Sequence, residues 1–242
     1  MNLRFNLLRR SRPYGALAVA CLLLVALPLC GAGLHYLADG QPNAMALLPP
    51  PPAPGSPEQA ADMQEVRFVS RSAPTNDVTV AFTEKEFTIF NFTSAIGDFF
   101  QPGKFPKTEA FMRNVQKDAE NVTDHAKNYW KRPRPFMIDP GLATGKLEKS
   151  FSYPSGHSTE SMVLALVLAD LFPDRRDAIV AEARTIGWHR VEIARHFPTD
   201  IYAGRVLAQA IVSQMKENPQ FESDFAAAKA EVEAAQVTAK SN

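Results

Sequence analysis

Apolar residues recur at spacings of three and four over much of this chain. Between Lys107 and Trp130, Phe111, Val115, Ala119, Val122, Ala126 and Tyr129 form one stripe, the pattern of an amphipathic helix. Ala203, Val206, Leu207, Ala210 and Ile211 mark a second such helix, and Phe221 to Val237 an alanine-rich terminal one. From Ser161 to Leu171 the sequence is apolar on every face, which suits the buried centre of a bundle and is too short to cross a bilayer. Ser56-Pro57-Glu58 supplies an N-cap, a first-turn proline and an early acid, and so opens a helix. No stretch after Ser56 alternates like a strand between turn signals, although Asp77 to Phe82 reads either way. The expected class is all-α, a compact helical bundle.

The first residues differ in kind. Arg4, Arg9, Arg10 and Arg12 precede a 14-residue uncharged apolar run, Ala16 to Leu29, and small residues follow at Cys30-Gly31-Ala32. This is the layout of a cleavable export signal, and it predicts a periplasmic or secreted protein; an uncleaved anchor from Gly15 to Leu37 is the alternative. Four prolines, Pro49 to Pro52, then hold a stiff extended stretch, read as a spacer or as a segment that docks. The expected organisation is a signal peptide over 1–32, a proline-rich linker over 33–55 and a folded domain over 56–242. Lysine plus arginine and aspartate plus glutamate both number 26, so no whole-chain basic field points to nucleic acid. Without residues 1–32 the balance is 22 bases to 26 acids. Cys21 and Cys30 are the only cysteines, which leaves the domain no disulfide, thiol nucleophile or cysteine metal site.

Three polar clusters sit at the seams between helices: Lys127 to Pro135, Tyr153 to Ser158, and His189 to Asp200. Taken singly, a basic run closing a helix is usually a solvated face, Pro-Ser-Gly a turn, and a lone histidine structural. Together they make a site for a phosphate group at the ends of the central helices. Lys127, Arg134 and Arg190 offer an ammonium and two guanidinium forks to a tetrahedral anion. Ser155 and Gly156 lie where the chain turns into a helix, whose free N-terminal amides attract an anion. His157 is placed to protonate a leaving oxygen and His196 to attack phosphorus. If Pro198 starts the next helix, Asp200 falls one turn from His196, where a carboxylate can fix the ring tautomer.

These residues resemble the signature of the bacterial class A non-specific acid phosphatases of the phosphatidic acid phosphatase type 2 superfamily: K-x6-R-P, then P-S-G-H, then S-R-x5-H-x3-D. Lys127, Arg134 and Pro135 match the first part, Pro154 to His157 the second, and Arg190, His196 and Asp200 the third. The resemblance runs from about Ser56 to Met215 and departs at one place, where His189 stands for the family's serine. It implies an acid phosphatase domain in which His196 becomes a phosphohistidine, Asp200 orients it and His157 protonates the leaving group. Lys127, Arg134, Arg190, Ser155 and Gly156 would hold the phosphoryl oxygens, with His189 as an additional donor or packed away. No cofactor or metal is implied. The expected partners are small-molecule phosphomonoesters, with homo-oligomer formation allowed, no nucleic acid, and membrane contact only through the signal or anchor. The alternatives are a nucleotide-directed phosphatase or phosphotransferase, a lipid phosphatase, a vanadate-dependent haloperoxidase, and an exported anion-binding protein without catalysis. The last gives no reason for two histidines and Asp200. His125 matches nothing in the signature and reads as structural.

Overall fold

Most helix starts among the described residues coincide with residues that cap or initiate. The computed structural model describes residues 34–241, with side chains to 238; the expected signal peptide and both cysteines lie outside them. After the one-turn α1 (Ala44–Leu47), α2 (Pro57–Ser72) begins behind Ser56, whose Oγ accepts the Gln59 amide at 3.1 Å. Then come α3 (Thr75–Thr83), which resolves the ambiguous Asp77 to Phe82 stretch as helix, the short α4 (Thr93–Ile96), and α5 (Pro106–Trp130). Lys131, at φ +50°, ends α5 in the left-handed region, its amide returning to the Lys127 carbonyl at 2.9 Å, and Pro133 prevents resumption. After α6 (Pro135–Ile138) the chain runs on through α7 (Gly156–Leu171), α8 (Arg176–Glu192), α9 (Pro198–Met215) and α10 (Pro219–Ser241). Among the described residues there is no strand, and no helix is long and apolar enough to cross a membrane.

α7 is the central element, packed by α5, α8, α9 and α10 and buried on nearly all faces. The stripe on α5 faces this core, except that Tyr129 at its end is 60% exposed and meets Trp130 edge-on. The stretch expected as a linker instead joins the domain. Tyr36, Leu37, Ala44 and Leu48 are buried in the main core, and the His35 and Tyr36 amides both donate to the Asp118 carboxylate of α5. The proline run is fastened as well, because Tyr153 Oη donates to the Pro49 carbonyl at 2.6 Å.

Small polar residues on the first turns of α7 bring its neighbours close. Ser158 Oγ donates to the Ile201 carbonyl at 2.8 Å, and Ser161 Oγ to the Ala183 carbonyl at 3.2 Å. A Cβ at Gly204 of α9 would lie 2.9 Å from the Ser155 carbonyl oxygen and 3.0 Å from both Ser158 Cβ and Thr159 Oγ1. Gly204 therefore sets the distance between α9 and the start of α7. Gly204→Ala should overpack this contact by about 1–3 kcal/mol and lower the melting temperature by roughly 3–10 °C. Calorimetry checks this, and an unchanged melting temperature would mean the two helices separate freely.

Candidate active site

The turn between α8 and α9 positions the central pair. Ala194 takes the left-handed conformation at φ +54°, and the Arg195 and His196 amides return to the Arg190 carbonyl at 2.8 and 3.2 Å. Pro198 then starts α9, and Asp200 in its first turn accepts the Phe197 amide at 2.9 Å. This places Asp200 Oδ2 3.4 Å from His196 Nδ1, one turn away as expected. On the other side of the ring, Arg134 Nη1 lies 3.1 Å from Nε2. A guanidinium can only donate, so Nε2 accepts and the ring proton belongs on Nδ1, facing Asp200. His196 is 2% exposed. Burial first, then the charges of Arg134, Lys127 and Arg190, hold its pKa well below the usual histidine value, so it is neutral near pH 7.

His196 opens onto a cavity of about 400 Å³ that Lys127, Arg134, Gly156, His157 and Arg190 also line. Lys127 comes from the last turn of α5, Arg134 from the N-cap of α6, Arg190 from the last turn of α8, and Gly156 from the start of α7. The first amides of α7 have no acceptor within the helix and add a partial positive charge. A Cβ on Gly156 would sit 3.1 Å from Lys127 Nζ, so only glycine leaves that space clear. Arg134 is fixed by the Ser150 carbonyl at 2.7 Å, the Arg195 carbonyl at 3.0 Å and Ser150 Oγ at 3.0 Å. Arg190 donates to the Ala81 carbonyl at 3.2 Å and to Glu148 at 2.7 Å. Burial, reinforced by the neighbouring arginine, lowers the Lys127 pKa, and burial pushes Arg190 down to about 10. Cations crowded this way favour an anion among them. Ser155 differs from expectation in its placing: it stands behind Gly156, capping α7 with Oγ toward the Ser158 amide and donating its own amide to the Asp200 carbonyl at 3.1 Å.

The other two histidines expected at the site part company. His157, half-buried at the cavity rim, lies with Nε2 3.0 Å from the Glu84 carbonyl and its ring against Phe87. Burial, then Arg190 and His196, lowers its pKa well below the usual value. His189 faces away from the cavity, with Nδ1 2.9 Å from the Glu84 carboxylate. Burial alone would lower the His189 pKa, but hydrogen bonding and charge from Glu84 leave it raised. Of the two roles open to His189, donor or packed residue, it takes the packed one. His125 lies exposed on α5, outside the cavity.

Several functional residues escaped the sequence reading. Arg132, seen only as part of a basic run, is buried with Nη1 2.6 Å from Asp200 Oδ1 and Nη2 2.7 Å from Asp62 Oδ2. Thr199 and Gln59 accept from the same guanidinium at 2.8 Å each, and it stacks 3.9 Å above the Phe197 ring. Ser152 Oγ donates to Asp200 Oδ2 at 2.5 Å. Burial pushes the Asp200 carboxyl up, against the pull of Arg132, Ser152 and the Phe197 amide. The available signal was the demand itself, since a buried carboxylate beside a histidine needs a cation.

A helical scaffold that gathers a His-Asp pair, a second histidine and three cations around one cavity is built to bind a small anion. Comparison with known proteins places it. The profile of the PAP2 superfamily matches residues 119–218. A non-specific acid phosphatase of Providencia stuartii is 30% identical over 215 residues, 82% of this chain and 84% of that one. An acid phosphatase of Zymomonas mobilis is 28% identical over 214 residues, 85% and 80% of the two chains. The transmembrane PAP2 type phosphatidylglycerolphosphate phosphatase from Bacillus subtilis is similar at TM-score 0.49 and 20% identity, over 72% of this chain and 89% of that one. The chain belongs to the PAP2 superfamily, with bacterial non-specific acid phosphatases among its relatives.

The Arg132 network yields a stability test. Arg132→Met strands the buried carboxylates of Asp62 and Asp200 and should cost about 3–5 kcal/mol. Adding Asp62→Asn should restore part of the loss, because one stranded charge is removed. Urea unfolding measures both, and a single variant within about 0.5 kcal/mol of wild type would show that the ion pairs are not holding the fold.

Proposed function

We propose that this protein is an exported, metal-independent phosphomonoesterase of broad specificity, an acid phosphatase that works through a phosphohistidine on His196. The observation that carries the reading is the state of His196: neutral, protonated on Nδ1 toward Asp200, with its Nε2 lone pair directed at Arg134 on the wall of a cation-lined cavity. A phosphoryl group entering the cavity offers its oxygens to Arg134, Arg190, Lys127 and the α7 amides, and draws Arg134 off the lone pair. Nε2 then attacks phosphorus, the ester P–O bond breaks, and His157 gives its proton to the leaving oxygen. Asp200 stabilises the imidazolium formed. Water, deprotonated by His157, next cleaves the P–N bond and releases inorganic phosphate, returning both histidines to their starting states. The three cations supply the charge neutralisation that divalent ions give elsewhere. Export rests on the basic and apolar N-terminal run, and the substrates are small phosphomonoesters, as the names of the relatives suggest.

Acid-quenched protein fed labelled phosphomonoester in excess EDTA should retain acid-labile label on His196, and His196→Ala should abolish turnover while still folding. Label on a serine or an aspartate, or activity lost to chelator and restored by zinc or magnesium, would overturn the mechanism.

The division of labour between the histidines has its own readout. His157 must be protonated to act as acid, and its lowered pKa leaves the free enzyme poor in that form near neutrality. His196 stays neutral well into the acid range, so kcat/KM should peak below pH ~6.5. His157→Ala should slow an alkyl phosphate far more than an aryl phosphate such as p-nitrophenyl phosphate, whose leaving group departs with little protonation. Equal losses on both substrates would reduce His157 to a binding role.

A further inference from the structure

The cavity is electrically two-sided. Gln116, Glu120, Asp124 and Lys127 follow one another on α5 at spacings of four, four and three, so they share one helix face, and all four line the cavity. Lys127 stands at the phosphate end of this row, beside Gly156, and the carboxylates succeed it toward solvent, Glu120 and Asp124 being exposed. Glu160 of α7 adds a third carboxylate, with Oε2 accepting from Gln116 at 3.3 Å and Oε1 3.3 Å from where a Gly156 Cβ would lie. Only Asp124 has a basic partner, Lys127 at 3.7 Å; Glu120 and Glu160 form no ion pair within 4.0 Å among the described residues. The phosphate hydrolysis proposed above uses none of these carboxylates, and placed beside a phosphate dianion they would repel it.

A second observation fixes where the anion goes. Arg190, 2% exposed, lines the same cavity as Lys127, Arg134 and His196, and the three buried cations mark the end that takes the anion. The acidic row therefore faces whatever the phosphoryl group carries. A metal ion is a poor fit there, because no three His, Asp or Glu side chains among the described residues are grouped to hold one. An acyl tail is also a poor fit, since Phe87 is the one large apolar side chain of the lining. Successive turns of α5 set its side chains about 5–6 Å apart. That step matches a two- or three-carbon linker between a phosphoryl group and an amine.

We propose that the row Glu120, Asp124 and Glu160 selects the leaving group, favouring phosphate monoesters of short amino alcohols over neutral alkyl phosphates and disfavouring polyanionic esters. This rests on the phosphatase reading. The ammonium end of the substrate lies against α5 while its phosphoryl group occupies the clamp, and hydrolysis releases inorganic phosphate and an amino alcohol that keeps its cationic amine. Exposed ion pairs are individually weak, and burial pushes the Glu160 carboxyl up to about 7, so Glu120 and Asp124 carry most of the charge and a preference of about fivefold is expected.

The test compares kcat/KM for 2-aminoethyl phosphate and ethyl phosphate, at low and at high ionic strength. The amino substrate should lead by about fivefold or more at low salt, and the lead should shrink at high salt. Glu120→Gln should reduce it and Glu120→Lys should reverse it, the lead being read as the ratio of the two substrates within each variant. Turnover of ethyl phosphate with no amino preference, or a preference that Glu120→Lys does not alter, would overturn this inference while leaving the phosphatase reading intact. Failure to hydrolyse ethyl, aryl and aminoalkyl phosphates alike would instead overturn the phosphatase reading and this one with it.

Discussion

One carboxylate organises this molecule. Both oxygens of Asp200 are occupied, Oδ1 by Arg132 and Oδ2 by Ser152, the Phe197 amide and the His196 ring. An ionised carboxylate without access to water is costly unless such partners surround it. Meeting that demand draws in the joint between α5 and α6, the approach to α7 and the turn between α8 and α9. Through Arg132 it reaches α2 as well, by way of Asp62 and Gln59. The backbone takes part too, since the Asp200 carbonyl receives the Ser155 amide just before α7 begins. The orientation of His196 thus depends on segments spread over most of the described chain.

The cations impose a second constraint of opposite sense. Lys127, Arg134 and Arg190 share one small cavity, and burial together with mutual repulsion weakens their hold on charge. Glu148 relieves part of this by binding Arg190 and Arg195 at 2.7 and 2.8 Å. Arg134 has no carboxylate partner among the described residues and rests on carbonyls, a hydroxyl and the imidazole lone pair. A dianion is the species that such a cavity accommodates best, because it neutralises several neighbours at once. The same electrostatics lowers the pKa of both His157 and His196, so the positive charge of the resting site lies mainly on the lysine and the arginines.

The helices were legible because their signals are local. Ser56-Pro57, the stripe on α5 and the apolar run of α7 each act within a few turns, and each element formed where expected. The motif residues were legible by resemblance, and the geometry gathers Lys127, Arg134, Gly156, His157, Arg190 and His196 on one cavity. What stayed hidden depends on distant choices of partner. Arg132 finds Asp62 across 70 positions, and His189 finds Glu84 across 105. No local pattern distinguishes these from solvated charges or from a donor facing the site. Residues 34–48 were hidden for a related reason: a short apolar segment beside prolines reads as spacer until Asp118 is seen to hold the His35 and Tyr36 amides.

The way the arginines are held has a consequence for how this site tolerates sequence drift. Arg134 is fastened by the carbonyls of Ser150 and Arg195, Arg190 by that of Ala81, and Arg195 by those of Ile193 and Thr144. A carbonyl is present at every residue, whatever the side chain. Substitutions at positions 81 and 193 therefore leave the acceptors in place so long as the chain keeps its path, whereas Ser150 also gives its hydroxyl to Arg134. The carbonyl half of the anion clamp thus survives side-chain change around the cavity, while the half that rests on Glu148 and the Ser150 hydroxyl does not.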